Sequence, residues 1–224
     1  MRAALIVAGA LLAAYAVKRA ADASAAPLDD GTPDDGSTAL DYANPFGLIE
    51  RQYEQHQASE AMNSANVAAF LSMIAHAEGT DRAADPYRVC YAYRHTIESL
   101  ADHPAVTGEW RGEPLPDAMC RGAGLSPGCV STAAGRYQLI RPTWLQCKRA
   151  LGLADFSPAS QDAAAVYLIR KRGALDHVEA GRLADAIAAC RLEWASLPGA
   201  GYGQPERRLA GLIDAYADAG GYVA

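Results

Sequence analysis

Hydrophobic patterning divides the chain into three regimes. From Ala3 to Val17 the run AALIVAGALLAAYAV is apolar throughout, with no amphipathic break. From about residue 28 to residue 63 apolar positions are scattered among Asp, Gly, Pro and Ser and then Gln and Glu, which predicts a tether with one short helix at about 48–61. From Ser64 onward the helical period takes over. Val67, Phe70, Leu71 and Ile74 share one face, Ser64 is placed as N-cap, and Gly79 marks the stop. Further helices are predicted near 141–151, 158–171, 182–194 and 205–219, with a small irregular β region within 85–138. The expected class is α+β and mainly helical, arranged as an N-terminal apolar segment (1–25), an acidic flexible linker (26–63) and a single domain (64–224).

The apolar run is fifteen residues long, bounded by Arg2 and by Lys18-Arg19. A bilayer span needs about 20 residues and a signal-peptide core roughly 7–15, so length favours an export signal. Ala23-Ser24-Ala25 offers a cleavage site, yet the charges at Lys18, Arg19 and Asp22 that precede it suit an uncleaved anchor. Both readings stay open, as does a helix buried in a soluble fold. Either of the first two places the domain in the periplasm, or on the inner membrane facing it, with residues 3–17 as the membrane contact when uncleaved.

Composition narrows the function. Half of the residues are apolar and 21% are charged, which excludes a wholly disordered, collagenous or polytopic membrane chain. The net charge of -6 is uneven: residues 1–27 carry +2, residues 28–63 carry -7, and the candidate domain is nearly neutral. Nothing here draws the chain to nucleic acid. The five cysteines, Cys90, Cys120, Cys129, Cys147 and Cys190, show neither CxxC nor Cys/His spacing, so no metal site is expected. In an oxidising compartment Cys120 and Cys129 are spaced to close the loop between them; buried free thiols are the alternative.

Glu78 is the candidate acid. It falls in the last turn of an apolar helix, at the negative end of the helix dipole, where Lys or Arg is the favourable residue. Poor local electrostatics and partial burial both raise a carboxyl pKa, which a general acid working near neutrality requires.

Several separate motifs occur in order: Ala77-Glu78-Gly79-Thr80-Asp81, Asp102-His103-Pro104, Ser131 to Leu139 with Gly135-Arg136-Tyr137-Gln138, Leu151 to Pro158, Ser160-Gln161-Asp162, Arg172-Gly173-Ala174-Leu175, and Trp194 to Gln204. Together they resemble the bacteriophage lambda endolysin family of lysozyme-like murein lytic transglycosylases over about 68–221. The resemblance implies a lysozyme-like fold with a glycan cleft between helical and β lobes, and peptidoglycan strands as the partner. It makes Glu78 the catalytic acid, with Ser131, Arg136, Tyr137, Gln138, Tyr202 and Gln204 lining the cleft. No metal or organic cofactor is implied.

The chain also departs from that pattern. Where the family carries an Asp after the Tyr and shortly afterwards a glycine pair, this sequence reads Tyr87-Arg88-Val89-Cys90-Tyr91-Ala92-Tyr93, and it holds a longer insert between Pro104 and Ser131. Ordinary glycosidases use two carboxylates, and only Glu78 lies in a distinct motif. Asp81, Asp85, Glu98, Asp102 and Glu109 are candidates without a signature. The resemblance therefore implies lytic transglycosylation by one Glu. The alternatives are a true hydrolytic muramidase and a virion or envelope glycan-binding module.

Overall fold

The computed structural model describes residues 45–122, 124–201 and 206–224. The apolar run, the Ala23-Ser24-Ala25 site, Tyr202 and Gln204 lie outside the described residues. Among the described residues, no helix is long and apolar enough to cross a membrane.

The domain is built around α2 (Ala65–Glu78), which is preceded in the chain by α1 (Pro45–Ala61). Val67, Phe70, Met73 and Ile74 of α2 are fully buried, and the helix packs against α6 (Pro158–Lys171), α7 (Leu175–Glu179) and α9 (Leu209–Asp218). Ser64 stands at the N-cap in extended conformation, but its hydroxyl makes no capping hydrogen bond. Gly79 ends the helix at φ 77°, the left-handed geometry that lets its amide reach the Ala75 and His76 carbonyls.

A second group is formed by α5 (Arg141–Leu151) and α6, each opened by a proline in its first turn and closed by basic residues in its last. Trp144 and Phe156 meet edge to face at 4.7 Å between them. Helix α8 (Leu183–Cys190) completes the helical lobe against α7. All five helices expected from residue 64 onward are present, and the short α7 was not anticipated.

The irregular region carries α3 (Pro104–Thr107), β1 (Glu113–Pro114), α4 (Asp117–Gly122) and β2 (Val130–Ser131). The two strands pair antiparallel, Glu113 opposite Ser131, and isolated bridges join Val89 to Thr96 and Ala134 to both Cys90 and Leu139. The Cys120–Cys129 disulfide closes the insert; the other three thiols are buried and unpaired. His103 is fully buried and pushed down to about 4 by burial, so it is neutral, with its ring against the Leu139 carbonyl at 2.9 Å and the Ala105 amide at 3.1 Å.

The short helix expected at about 48–61 within the linker runs from Pro45 to Ala61, and it docks on α5 and α6. Its inward face is Glu54, Ala58 and Ala61, spaced at helical intervals. Glu54 pairs with Arg170 of α6, which also lies 5.4 Å from the Tyr53 ring centre. The Gln55 amide nitrogen caps the terminal Leu151 carbonyl of α5 at 2.5 Å. A polar and small-residue interface of this kind has no hydrophobic signature.

Removing one member of a buried ion pair leaves the other charge desolvated, which typically costs about 3–5 kcal/mol. Glu54→Ala should therefore lower the urea midpoint sharply, whereas the double variant Glu54→Met, Arg170→Met should recover most of that loss. Unfolding curves indistinguishable from wild type for Glu54→Ala would show that α1 does not contribute to the fold.

Candidate active site

Glu78 is the last residue of α2 and is partly buried. Its carboxylate Oε1 accepts a 2.6 Å hydrogen bond from Ser196 Oγ. Arg207 lies beside it, its Nε donating to the Ala77 carbonyl at 2.8 Å. Burial raises the Glu78 pKa from 4.5 to about 7, and the Ser196 hydrogen bond and the Arg207 charge hold it from rising further. A group with that pKa can both give and take a proton near neutrality.

Ser196 and Arg207 bracket the glycine-rich loop. The Arg207 amide donates to the Ser196 carbonyl at 2.8 Å, bringing the two ends of the loop together. Glu206, through its two carboxylate oxygens, accepts from the Gly199 amide at 2.8 Å and the Gly201 amide at 2.9 Å, and these bonds, Gly201's foremost, hold its pKa below the usual range. The buried Trp194 indole donates to the Tyr137 carbonyl at 3.0 Å and fixes the loop's start. Ser196 belongs to a quoted motif, but nothing in the sequence pairs it with a residue 118 positions earlier. Arg207 carried no signal.

The Gly135-Arg136-Tyr137-Gln138 segment behaves differently from expectation. Tyr137 is fully buried and its hydroxyl donates to Asp162 Oδ1 at 2.5 Å, so its ring has no face open to a sugar. Arg136 Nη1 donates to the Tyr87 hydroxyl at 2.7 Å and Nη2 to Ser72 Oγ at 3.2 Å, with Asp162 at 3.7 Å. Gln138 Nε2 donates to the Val89 and Gly135 carbonyls, both at 3.0 Å. Ser131 is buried, and its Oγ faces the Ala133 amide at 3.4 Å. Polar capacity expected to meet substrate is spent on the protein's own groups, because a buried donor or acceptor without a partner is costly.

The same network reaches Glu78. Thr80 Oγ1 donates to the Arg136 carbonyl at 2.6 Å, and the Arg136 amide donates to Gln161 Oε1 at 2.9 Å. Gly135, at φ 77°, is required there: a Cβ would lie 2.2 Å from Gln161 Oε1. The quoted motifs thus form one scaffold that places the end of α2.

Four of the other carboxylates have structural partners. Asp81 bonds His76 at 2.8 Å, Asp85 accepts from the Tyr87 amide at 3.0 Å, Asp102 accepts from the Trp144 indole at 2.7 Å and also pairs with Lys148, and Glu109 accepts from His95 at 2.8 Å. Among the described residues no group of three His, Cys, Asp or Glu is arranged to hold a metal ion.

Because the folded protein raises the Glu78 pKa from 4.5 to about 7, it favours the protonated form. That stabilisation is complete below the unfolded pKa and is lost as pH rises through the folded one, amounting to about 3 kcal/mol in all. Glu78→Gln is neutral at every pH. Its unfolding free energy should match wild type near pH 4.5 and exceed it by about 3 kcal/mol at pH 8 in chemical denaturation. A difference that does not change with pH would mean the carboxyl is solvated.

Comparison with known proteins identifies the family. The endolysin family profile matches residues 68–223. The endolysin of Escherichia phage P2 is 43% identical over 159 residues, spanning 71% of this chain and 95% of that protein. The endolysin of Escherichia phage lambda is 41% identical over 155 residues, spanning 69% and 91% respectively. Among solved structures, bacteriophage lambda lysozyme complexed with a chitohexasaccharide matches with a TM-score of 0.60 at 39% identity, over 71% of this chain and 97% of its own. By sequence along nearly the whole of these relatives and by a lysozyme-like arrangement of helices, the chain belongs to the endolysin family.

Proposed function

We propose that this endolysin cleaves the glycosidic bond between N-acetylmuramic acid and N-acetylglucosamine in peptidoglycan by lytic transglycosylation, with Glu78 as its single acid and base. The observation that carries the reading is the Glu78 carboxyl, poised at about 7 by burial and balanced by Ser196 and Arg207. In the first step the protonated carboxyl gives its proton to the glycosidic oxygen as the bond to muramyl C1 breaks. The resulting carboxylate takes the proton of the muramyl C6 hydroxyl, whose oxygen bonds to C1 and closes a 1,6-anhydro ring. No water is consumed and no cofactor takes part.

A second carboxylate is needed when water or an enzyme group is the nucleophile. The structural partners of Asp81, Asp85, Asp102 and Glu109 support the one-carboxylate route. In this reading the apolar run at residues 3–17 exports the enzyme or anchors it at the inner membrane, and the domain acts on the wall from the periplasmic side.

Murein digestion by Glu78→Gln should fall by roughly 10²–10⁴, the contribution of a general acid. Wild-type products should be 1,6-anhydromuropeptides by mass spectrometry; reducing-end muramic acid would mean hydrolysis. The rate should decline as pH rises through about 7, where Glu78 ionises. Ser196→Ala removes a bond that favours the carboxylate, so it should move that decline to higher pH. A shift to lower pH would refute the role given to Ser196.

A further inference from the structure

Tyr93 holds a position that core packing does not account for. The residue is 54% exposed, in the short 3-10 turn Tyr91–Tyr93. Both Ala92, at φ 52°, and Tyr93, at φ 58°, have left-handed backbone, a conformation that side chains with a Cβ rarely adopt. The Tyr93 hydroxyl donates at 2.6 Å to the carbonyl of Gly79, the residue that follows Glu78. The turn is fastened on each side. The Tyr91 amide donates to the Ala133 carbonyl at 2.8 Å, the Tyr93 amide to the Cys90 carbonyl at 2.9 Å, and Arg94 Nε lies 3.2 Å from Glu113 Oε1.

The ring is therefore exposed and yet ordered. A solvated tyrosine gains nothing from an unfavourable backbone and a pinned hydroxyl, and a glycine would satisfy this turn with less strain. A tyrosine that meets a ligand does gain, because its ordering cost is met before binding. Strained backbone of this kind concentrates at functional sites. A flat, rigid, half-open ring tied to the residue that follows the acid has the shape and polarity to receive a pyranose, which offers a face of C–H groups with hydroxyls around its edge.

We propose that Tyr93 is a glycan-binding residue, its exposed ring stacking on a pyranose bound beside Glu78. The proposal rests on the reading of Glu78 as the glycan-cleaving acid and adds to it a residue that sets affinity rather than chemistry. The hydroxyl serves to aim the ring, and the ring supplies the contact.

The test uses the full chain, with chitohexaose as probe in calorimetric titration of Glu78→Gln proteins, and murein digestion by the proteins that retain Glu78. Tyr93→Gly should weaken chitohexaose binding by about tenfold, the scale of one well-formed aromatic contact. It should raise the KM for murein by a similar factor while kcat holds. Its thermal midpoint should be no lower than that of wild type, since glycine accepts φ 58° without strain. Tyr93→Phe keeps the ring and should restore affinity to within about threefold of wild type. Undiminished binding by Tyr93→Gly, or a loss in Tyr93→Phe equal to that in Tyr93→Gly, would overturn the proposal. Should wild type release no soluble muropeptides while Tyr93→Gly still weakens chitohexaose binding, the assignment of Glu78 falls and the stacking role stands. Should wild type digest murein and Tyr93→Gly bind normally, the stacking role alone falls.

Discussion

The structure turns on the difficulty of keeping one carboxyl at the end of a buried helix. Glu78 lies where the α2 dipole is negative and water is scarce, and both facts disfavour its charge. Left alone, such a group would hold its proton more tightly and give it up less readily to a glycosidic oxygen. Ser196 and Arg207 supply the opposing influence, a hydrogen bond and a positive charge. Neither lies on α2. The acid's strength is therefore set by how accurately the loop from Ser196 to Arg207 is seated, and Trp194 and Glu206 seat it.

The second requirement is a fixed end for α2 itself. Gly79 reverses the backbone, and Thr80 then ties the helix end to the Arg136 carbonyl. Gln161 holds the Arg136 amide and also donates to the Tyr87 and Phe156 carbonyls. Asp162 collects the Tyr87 and Tyr137 hydroxyls. With Asp162 beside them, burial pushes the pKa of both tyrosines up, so they remain neutral donors. A polar network so fully satisfied rigidifies the interior and leaves one arrangement of the site.

What the sequence revealed follows from the kind of interaction involved. The helices of the 64–224 region were legible because each buries an apolar stripe at a regular period, and Gly79 marked its helix end by a conformation that few residues tolerate. The docking of α1 was not legible, since Glu54, Ala58 and Ala61 form a buried face that reads as solvated. Tyr137 was misplaced for a related reason: an aromatic residue in a motif looks the same whether its ring meets a sugar or, as here, the core. The raised pKa of Glu78 was legible because its location at the end of an apolar helix is locally unfavourable for charge. The partners of Glu78 were not, because they are brought to it only by the chain's return through α6 to α8 and the loop that follows.

The irregular region makes clear what the helical core is for. Among the described residues three without glycine's freedom adopt left-handed backbone, Ala92, Tyr93 and Gln138, and all lie between α2 and α5. Each carries a cost on the order of 1–3 kcal/mol. Local sequence does not offset this; long-range bonds do, from Gln138 to the Val89 carbonyl, from Tyr91 to Ala133 and from Tyr93 to Gly79. The Cys120–Cys129 bridge, spanning 9 positions in the insert, adds a covalent constraint to the same lobe. The regular half of the molecule thus supplies the stability with which the irregular half holds unfavourable conformations, and those conformations are gathered around the end of α2 rather than spread over the surface.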